Sequence, residues 1–216
     1  MINLFGNICA DNFFDNPYQI INISKKVKLE KTKSISGYRS KNIGDINKNL
    51  FDYVNKKIIN YIYPGSKGID FSASTFFQKS DADENDGWVH ADNSIITGVI
   101  YLTPEGTSGT SIFDAKEEFN LPQPLSKHDY FENKEKYTQE EKKLIYNEKL
   151  NNNNHFIKTI NYSGKFNRMV AFDSKTYHAA EVCNKERLII ITFINFLNTN
   201  VYPVTFKALK WLNLYY

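Results

Sequence analysis

The sequence predicts an α+β domain whose core is a β-sandwich or open barrel, and three observations predict it. Apolar residues Ile46, Leu50, Val54, Ile58 and Ile62 recur every four positions, as in a helix with one face to cover. After Gly65 the pattern changes to short runs rich in Phe, Ile, Val and Thr, bounded by Gly, Pro and Asn clusters. Two helices followed by about seven or eight such strands suit a sandwich or barrel with helices packed on it.

The elements follow in order. Ile2 to Ala10 reads as a strand, and Asp15 or Asn16 can cap a helix that has Pro17 at its first position. The second helix spans Ile46 to Ile62, with Asp45 as its expected cap and Pro64-Gly65 as its stop. Strands are expected at Ile69–Gln78, Ile95–Thr103 and Thr110–Asp114, the last two as a hairpin across P-E-G-T-S-G. Residues 115–155 interrupt the strands. Within them T-Q-E-E at 138–141 is a capping box opening a short helix, which the run Asn151–Asn154 closes. Strands resume at Phe156–Tyr162, Asn167–Phe172 and Arg187–Phe196. The chain is expected to be one domain. Residues 1–65 hold the N-terminal strand and helices, 66–200 the barrel with insertion 115–155, and 201–216 a tail.

Composition narrows the class. The 216 residues, 41% hydrophobic and 15% aromatic, can bury a full core. A net charge of +3 is too small to argue for a nucleic-acid partner by field alone. The basic run K-K-V-K-L-E-K-T-K at 25–33 reads as a solvated loop or helix end. Cys9 and Cys183 stand far apart in no C-x-x-C pattern, which fits a reducing compartment. No signal sequence or membrane-spanning run is visible, so the expected location is the cytoplasm.

The chemistry concentrates in W-V-H-A-D-N-S at 88–94. In extended backbone, residues two apart point to the same side, so His90 and Asp92 can aim an imidazole and a carboxylate at one ion. His128 and His155 lie in the insertion and read as surface residues. His178 follows the strand N-R-M-V-A-F-D and a short turn, so it too stands at a strand end. Two histidines and a carboxylate form the facial set that suits non-haem iron(II) with three open positions. Nine residues beyond His178, Arg187 opens the strand R-L-I-I-I-T-F-I; a strand-turn-strand would return its planar fork beside the metal, ready to grip a carboxylate.

With those pieces in order, the sequence resembles the iron(II)- and 2-oxoglutarate-dependent dioxygenases, in their prolyl-hydroxylase-like branch. The resemblance rests on H-A-D at 90–92, G-V-I-Y-L-T at 98–103, E-G-T-S-G-T-S-I-F at 105–113, N-R-M-V-A-F-D-S-K-T-Y-H at 167–178 and E-R-L-I-I-I-T-F at 186–193. The opening N-F-F-D-N-P and S-G-Y-R at 36–39 are similar to an uncharacterised viral and bacterial subgroup, for which the location would be a host cytoplasm. The resemblance implies a double-stranded β-helix (a jelly-roll or cupin-like barrel) flanked by N-terminal helices. It implies iron held by His90, Asp92 and His178, and the distal carboxylate of 2-oxoglutarate held by Arg187 with help from the Tyr101 phenol.

The implied reaction consumes O2 and 2-oxoglutarate, releases succinate and CO2, and hydroxylates a protein side chain or small molecule. Ascorbate is an implied stimulant. Asp92 favours hydroxylation, since halogenases of this kind lack that carboxylate. The sequence departs from the pattern at Phe76-Phe77, where relatives often carry Tyr, and in the hairpin, which lacks an adjacent Gly-Gly pair. The residues alone leave two alternatives open, a His2Asp zinc hydrolase and a non-catalytic barrel that binds a ligand. Substrate and oligomeric state are not readable.

Overall fold

The computed structural model describes residues 6–31, 37–80, 87–116, 137–183, 185–201 and 203. His128, residues 117–136 of the insertion and the aromatic tail with Trp211, Tyr215 and Tyr216 lie outside them. Two antiparallel sheets face each other. The larger has seven strands, in the order β1 (Ile8–Ala10), β8 (Met169–Asp173), β5 (Ile96–Tyr101), β10 (Arg187–Asn198), β4 (Asp70–Ser80), β3 (Gly37–Ser40) and β2 (Leu29–Lys31). The smaller has three, in the order β7 (Phe156–Gly164), β6 (Thr107–Ala115) and β9 (Tyr177–Ala180). An isolated antiparallel bridge between His90 and His178 lays residues 87–90 along the free edge of β9.

The expected hairpin of Ile95–Thr103 with Thr110–Asp114 is not formed. β5 pairs with β8 and β10, whereas β6 pairs with β7 and β9, so the chain crosses from one sheet to the other between them. All six residues of β5 are buried, so it is a central strand that needs a partner on each edge. Adjacency in sequence does not supply two. Gly109 has its own reason: a Cβ there would lie 1.7 Å from the Tyr162 carbonyl oxygen, at a register shift in the β6–β7 ladder.

Helices cover the outer face of the larger sheet. Asn16 caps α1 (Pro17–Ser24), its side chain accepting from the Gln19 amide at 3.2 Å. The second predicted helix is two. A single turn, α2 (Ile43–Ile46), precedes α3 (Lys48–Ile62), and the cap of α3 is Asn47, which accepts from the Leu50 amide at 3.0 Å, in place of the expected Asp45. Ile46 is therefore exposed, while Leu50, Val54, Ile58, Ile59 and Ile62 pack on Phe77, Ile96, Ile100, Ile190 and Ile194. Burying each such side chain contributes about 1.5–3 kcal/mol. Gly98 lets α3 come close: its Cβ would stand 2.9 Å from Thr192 Cγ2 and 3.0 Å from Ile58 Cδ1. Asn55 fixes the helix on the sheet, donating to Thr75 Oγ1 at 2.9 Å and accepting from Thr192 Oγ1 at 2.6 Å.

Two strands lay hidden in and after the basic run. The run begins as the expected helix end, with Lys25 as the C-cap of α1, but Leu29–Lys31 and, beyond the run, Gly37–Ser40 form β2 and β3 at the edge of the larger sheet. Charge on an edge strand opposes pairing with another chain. The capping box is present: the Thr138 amide donates to Glu141 Oε2 at 2.7 Å and the Glu141 amide to Thr138 Oγ1 at 3.2 Å. The helix it opens, α4 (Gln139–Asn154), runs through the four asparagines, which are its last turn. Among the described residues, no helix is long and apolar enough to cross a membrane.

Candidate metal centre

His90, Asp92 and His178 come together at one end of the space between the sheets, with one ligand atom from each lying within 4.8 Å of the others. His178 sits on β9 opposite Ile112 of β6, and His90 is bound to it through the backbone. The Asp92 amide donates to the Ser174 carbonyl at 2.7 Å, holding the carboxylate against the turn that follows β8. The side chains are 30% exposed for His90, 19% for Asp92 and 9% for His178, so the cluster opens to solvent on the His90 side.

Each imidazole is oriented by its own strand. His90 Nδ1 lies 2.7 Å from the Trp88 carbonyl and His178 Nδ1 lies 2.9 Å from the Thr176 carbonyl. A carbonyl only accepts, so both Nδ1 atoms carry the proton and both Nε2 atoms are left to face Asp92. His178 Nε2 is 3.3 Å from Asp92 Oδ2, and His90 Nε2 is 3.8 Å from Oδ1. Burial works to raise the Asp92 carboxyl, but His178, His90 and the Thr97 hydroxyl outweigh it and hold it well below the usual carboxylate range. Thr97 donates to Asp92 Oδ2 at 2.8 Å and lies 2.9 Å from the Ser174 hydroxyl, which in turn lies 2.6 Å from that of Ser94. Two imidazole Nε2 atoms turned toward an ionised, hydrogen-bonded carboxylate make a ligand set that suits a divalent transition metal.

From this end the barrel interior runs along alternate residues of β5, namely Thr97, Val99 and Tyr101. Thr97 and Tyr101 are four residues apart, or about 13 Å along the strand. Val99 and Tyr101 pack with Ile112, Val170, Phe172 and Ile189. Ile189 is the register partner of Tyr101, and Arg187, two residues before it, points to the same side. Tyr101 is fully buried with its hydroxyl 2.7 Å from Thr110 Oγ1; burial pushes the phenol up to about 12, against the opposing pull of that hydrogen bond and of Arg187.

Arg187 is 7% exposed and no carboxylate pairs with it among the described residues. Nη1 reaches the Gly109 carbonyl at 3.5 Å, at the limit of a hydrogen bond, and the buried Nε has no hydrogen-bond partner among the described residues. A buried guanidinium left this way costs several kcal/mol unless an anion joins it.

The model of the family described as "Family of unknown function (DUF6445)" matches residues 8–189. The chain belongs to this family. No curated protein matches it in sequence. Solved structures similar to it include HygX from Streptomyces hygroscopicus, whose crystals held nickel, 2-oxoglutarate and hygromycin B. That pair is 8% identical, with a TM-score of 0.53 over 89% of this chain and 83% of HygX. SnoN, a non-haem α-ketoglutarate-dependent epimerase from nogalamycin biosynthesis, is 9% identical at a TM-score of 0.53, over 88% of this chain and 77% of its own. An oxidoreductase of the 2OG-Fe(II) oxygenase family from Burkholderia pseudomallei is 9% identical at 0.52, over 88% and 84%. At these identities the likeness is one of fold, the jelly-roll barrel that this family member shares with them.

Sequence reading did not anticipate what braces the far side of the His90 strand. The Asn153 side chain accepts from the Val89 amide at 2.9 Å and donates to the Gly87 carbonyl at 3.0 Å, and Asn152 donates to the Val89 carbonyl at 3.1 Å. Residues 87–90 are thus bound on one edge by β9 and on the other by amide side chains from the end of α4. The Asn run is the only sequence signal, and it resembles low complexity. His155 ends α4 and stands apart from the cluster. Phe76 lies under Arg39, whose guanidinium carbon is 5.1 Å from the ring centre.

Proposed function

We propose that this protein is a non-haem iron(II)- and 2-oxoglutarate-dependent oxygenase. The observation that carries the reading is Arg187, a buried guanidinium with no carboxylate partner among the described residues, on the interior face of the larger sheet from which Thr97 donates to Asp92 of the His2Asp cluster. His90, Asp92 and His178 would hold the iron, which when bound supplies the activation of O2 and the oxidation of a C–H bond. Arg187 would take the distal carboxylate of 2-oxoglutarate as a charge-assisted pair, in a setting dry enough to strengthen it. The Tyr101 phenol, neutral across the physiological range, would donate to that carboxylate or keep Thr110 in place beside it. Thr97 holds the Asp92 carboxylate through its hydroxyl, and the Ser174 carbonyl holds the Asp92 backbone.

The net reaction is RH + 2-oxoglutarate + O2 → ROH + succinate + CO2, with RH a protein side chain or small molecule. The prolyl-hydroxylase-like branch rests on the order and spacing of the motifs from H-A-D to E-R-L-I-I-I-T-F. A hydrolytic zinc site would need the same three ligands, but it would leave Arg187 unpaired. Incubation with iron(II), O2 and 2-oxoglutarate is expected to release succinate slowly without added substrate, and His178→Ala is expected to release none. Equal succinate from both proteins would reject the assignment.

A further inference from the structure

Resting on the oxygenase reading, we infer that Arg39 is the receptor for an anionic oxygen group, carboxylate or phosphate, on the primary substrate. β3 carries Arg39 on the interior face of the larger sheet: it is the register partner of Gln78, which in turn pairs with Ile189, and Ile189 with Tyr101. Along that face the next rows are Phe76 with Ile191 and Val99, then Ser74 with Phe193 and Thr97. The Arg39 side chain leans across these rows toward the metal end, with its guanidinium carbon 5.1 Å from the Phe76 ring centre and 6.0 Å from that of Phe193.

The guanidinium is held on one edge only. Nε and Nη2 both donate to Gln78 Oε1, at 3.1 and 2.6 Å, and Gln78 is itself buried. Nη1 has no hydrogen bond among the described residues, and no carboxylate pairs with Arg39 there. Asp92 attracts it through space without pairing with it, and Glu30, its register partner on β2, is ion-paired with Lys28 instead. Stacking on two phenylalanines and a double hydrogen bond to one amide oxygen fix the plane of the group, which is how an arginine is prepared for an oxyanion. Arg187 stands one row beyond Ile189 and two strands from Arg39, whose guanidinium leans the other way, toward Phe193, so the two cations are separate. The first suits the cosubstrate and the second a different anion, presented beside the metal from the partly exposed β3 side.

The test uses the protein loaded with manganese(II) and 2-oxoglutarate, which halts turnover. The probes are phenylacetate, phenyl phosphate and the uncharged phenylacetamide, and the readout is metal-induced relaxation of their phenyl protons. Relaxation of one or both anions with little for the amide is expected, and the anion relaxed more names the group recognised. Arg39→Gln should weaken anion binding by about tenfold or more, while Arg39→Lys keeps part of it. The iron(II)–2-oxoglutarate charge-transfer band should be unchanged in Arg39→Gln, which also shows the variant folded. Anion and amide relaxed alike, no anion relaxed, anion binding unchanged in Arg39→Gln, or a loss of 2-oxoglutarate affinity in that variant would each overturn the assignment. Absence of the charge-transfer band from the unaltered protein would instead reject the oxygenase reading beneath it.

Discussion

His90 and His178 are joined through their backbones before any metal arrives: the His90 amide donates to the His178 carbonyl at 3.1 Å, and the His178 amide to the His90 carbonyl at 2.8 Å. Their ring centres stand 4.4 Å apart as a result. The two imidazoles are therefore set by strand register, and an ion bound between them would have little backbone to order.

That register has a second support in Asn153, and its removal should be felt at the metal. Asn153→Ala leaves the Val89 amide without an acceptor from α4, a loss of about 1–3 kcal/mol. Iron(II) affinity is expected to fall by about tenfold, the usual effect of losing a group that orients a ligand. Isothermal titration with the metal checks it; unchanged affinity would mean that β9 alone sets the His90 strand.

Arg187 should be costly to the empty protein and necessary to the loaded one. Arg187→Met is expected to raise the thermal midpoint of the metal-free protein by roughly 2–4 °C, the shift that about 1 kcal/mol produces in a chain of this size. The same change should weaken 2-oxoglutarate binding by roughly 30-fold or more. A variant that is both less stable and equally able to bind would contradict the role.

Tyr101 gives a pH signature. Its phenol is raised to about 12 in the fold, against about 10 in an unfolded chain. Between those values the unfolded state has released the proton and the folded state keeps it, so folding stability falls as pH rises. The slope is about 1.4 kcal/mol per pH unit. Its contribution is complete below pH 10 and lost by pH 12. Denaturant melts across this window should show a slope smaller by one proton in Tyr101→Phe than in the unaltered protein.

The grouping of His90, Asp92 and His178 was legible because strand ends and the i, i+2 rule place side chains without knowledge of which strands pair. Pairing itself was not. β5 and β6 look like a hairpin, and only the need of a fully buried strand for two partners sends β6 to the other sheet. β2 was hidden because a charged edge strand of three residues reads like a solvated loop, and β3 because four residues are too few to show a strand period. With them went Arg39. The Asn151–Asn154 run hid its role for another reason: what Asn152 and Asn153 bind is backbone some 63 to 66 residues away, and no local pattern encodes it.

The most direct test is an anaerobic titration of the metal-free protein with iron(II) and then 2-oxoglutarate, followed by visible absorption. A metal-to-ligand charge-transfer band is expected in the unaltered protein, absent from His178→Ala and shifted to higher 2-oxoglutarate concentration in Arg187→Ala. An iron(II)-loaded protein that gives no band at saturating 2-oxoglutarate would contradict the proposed function.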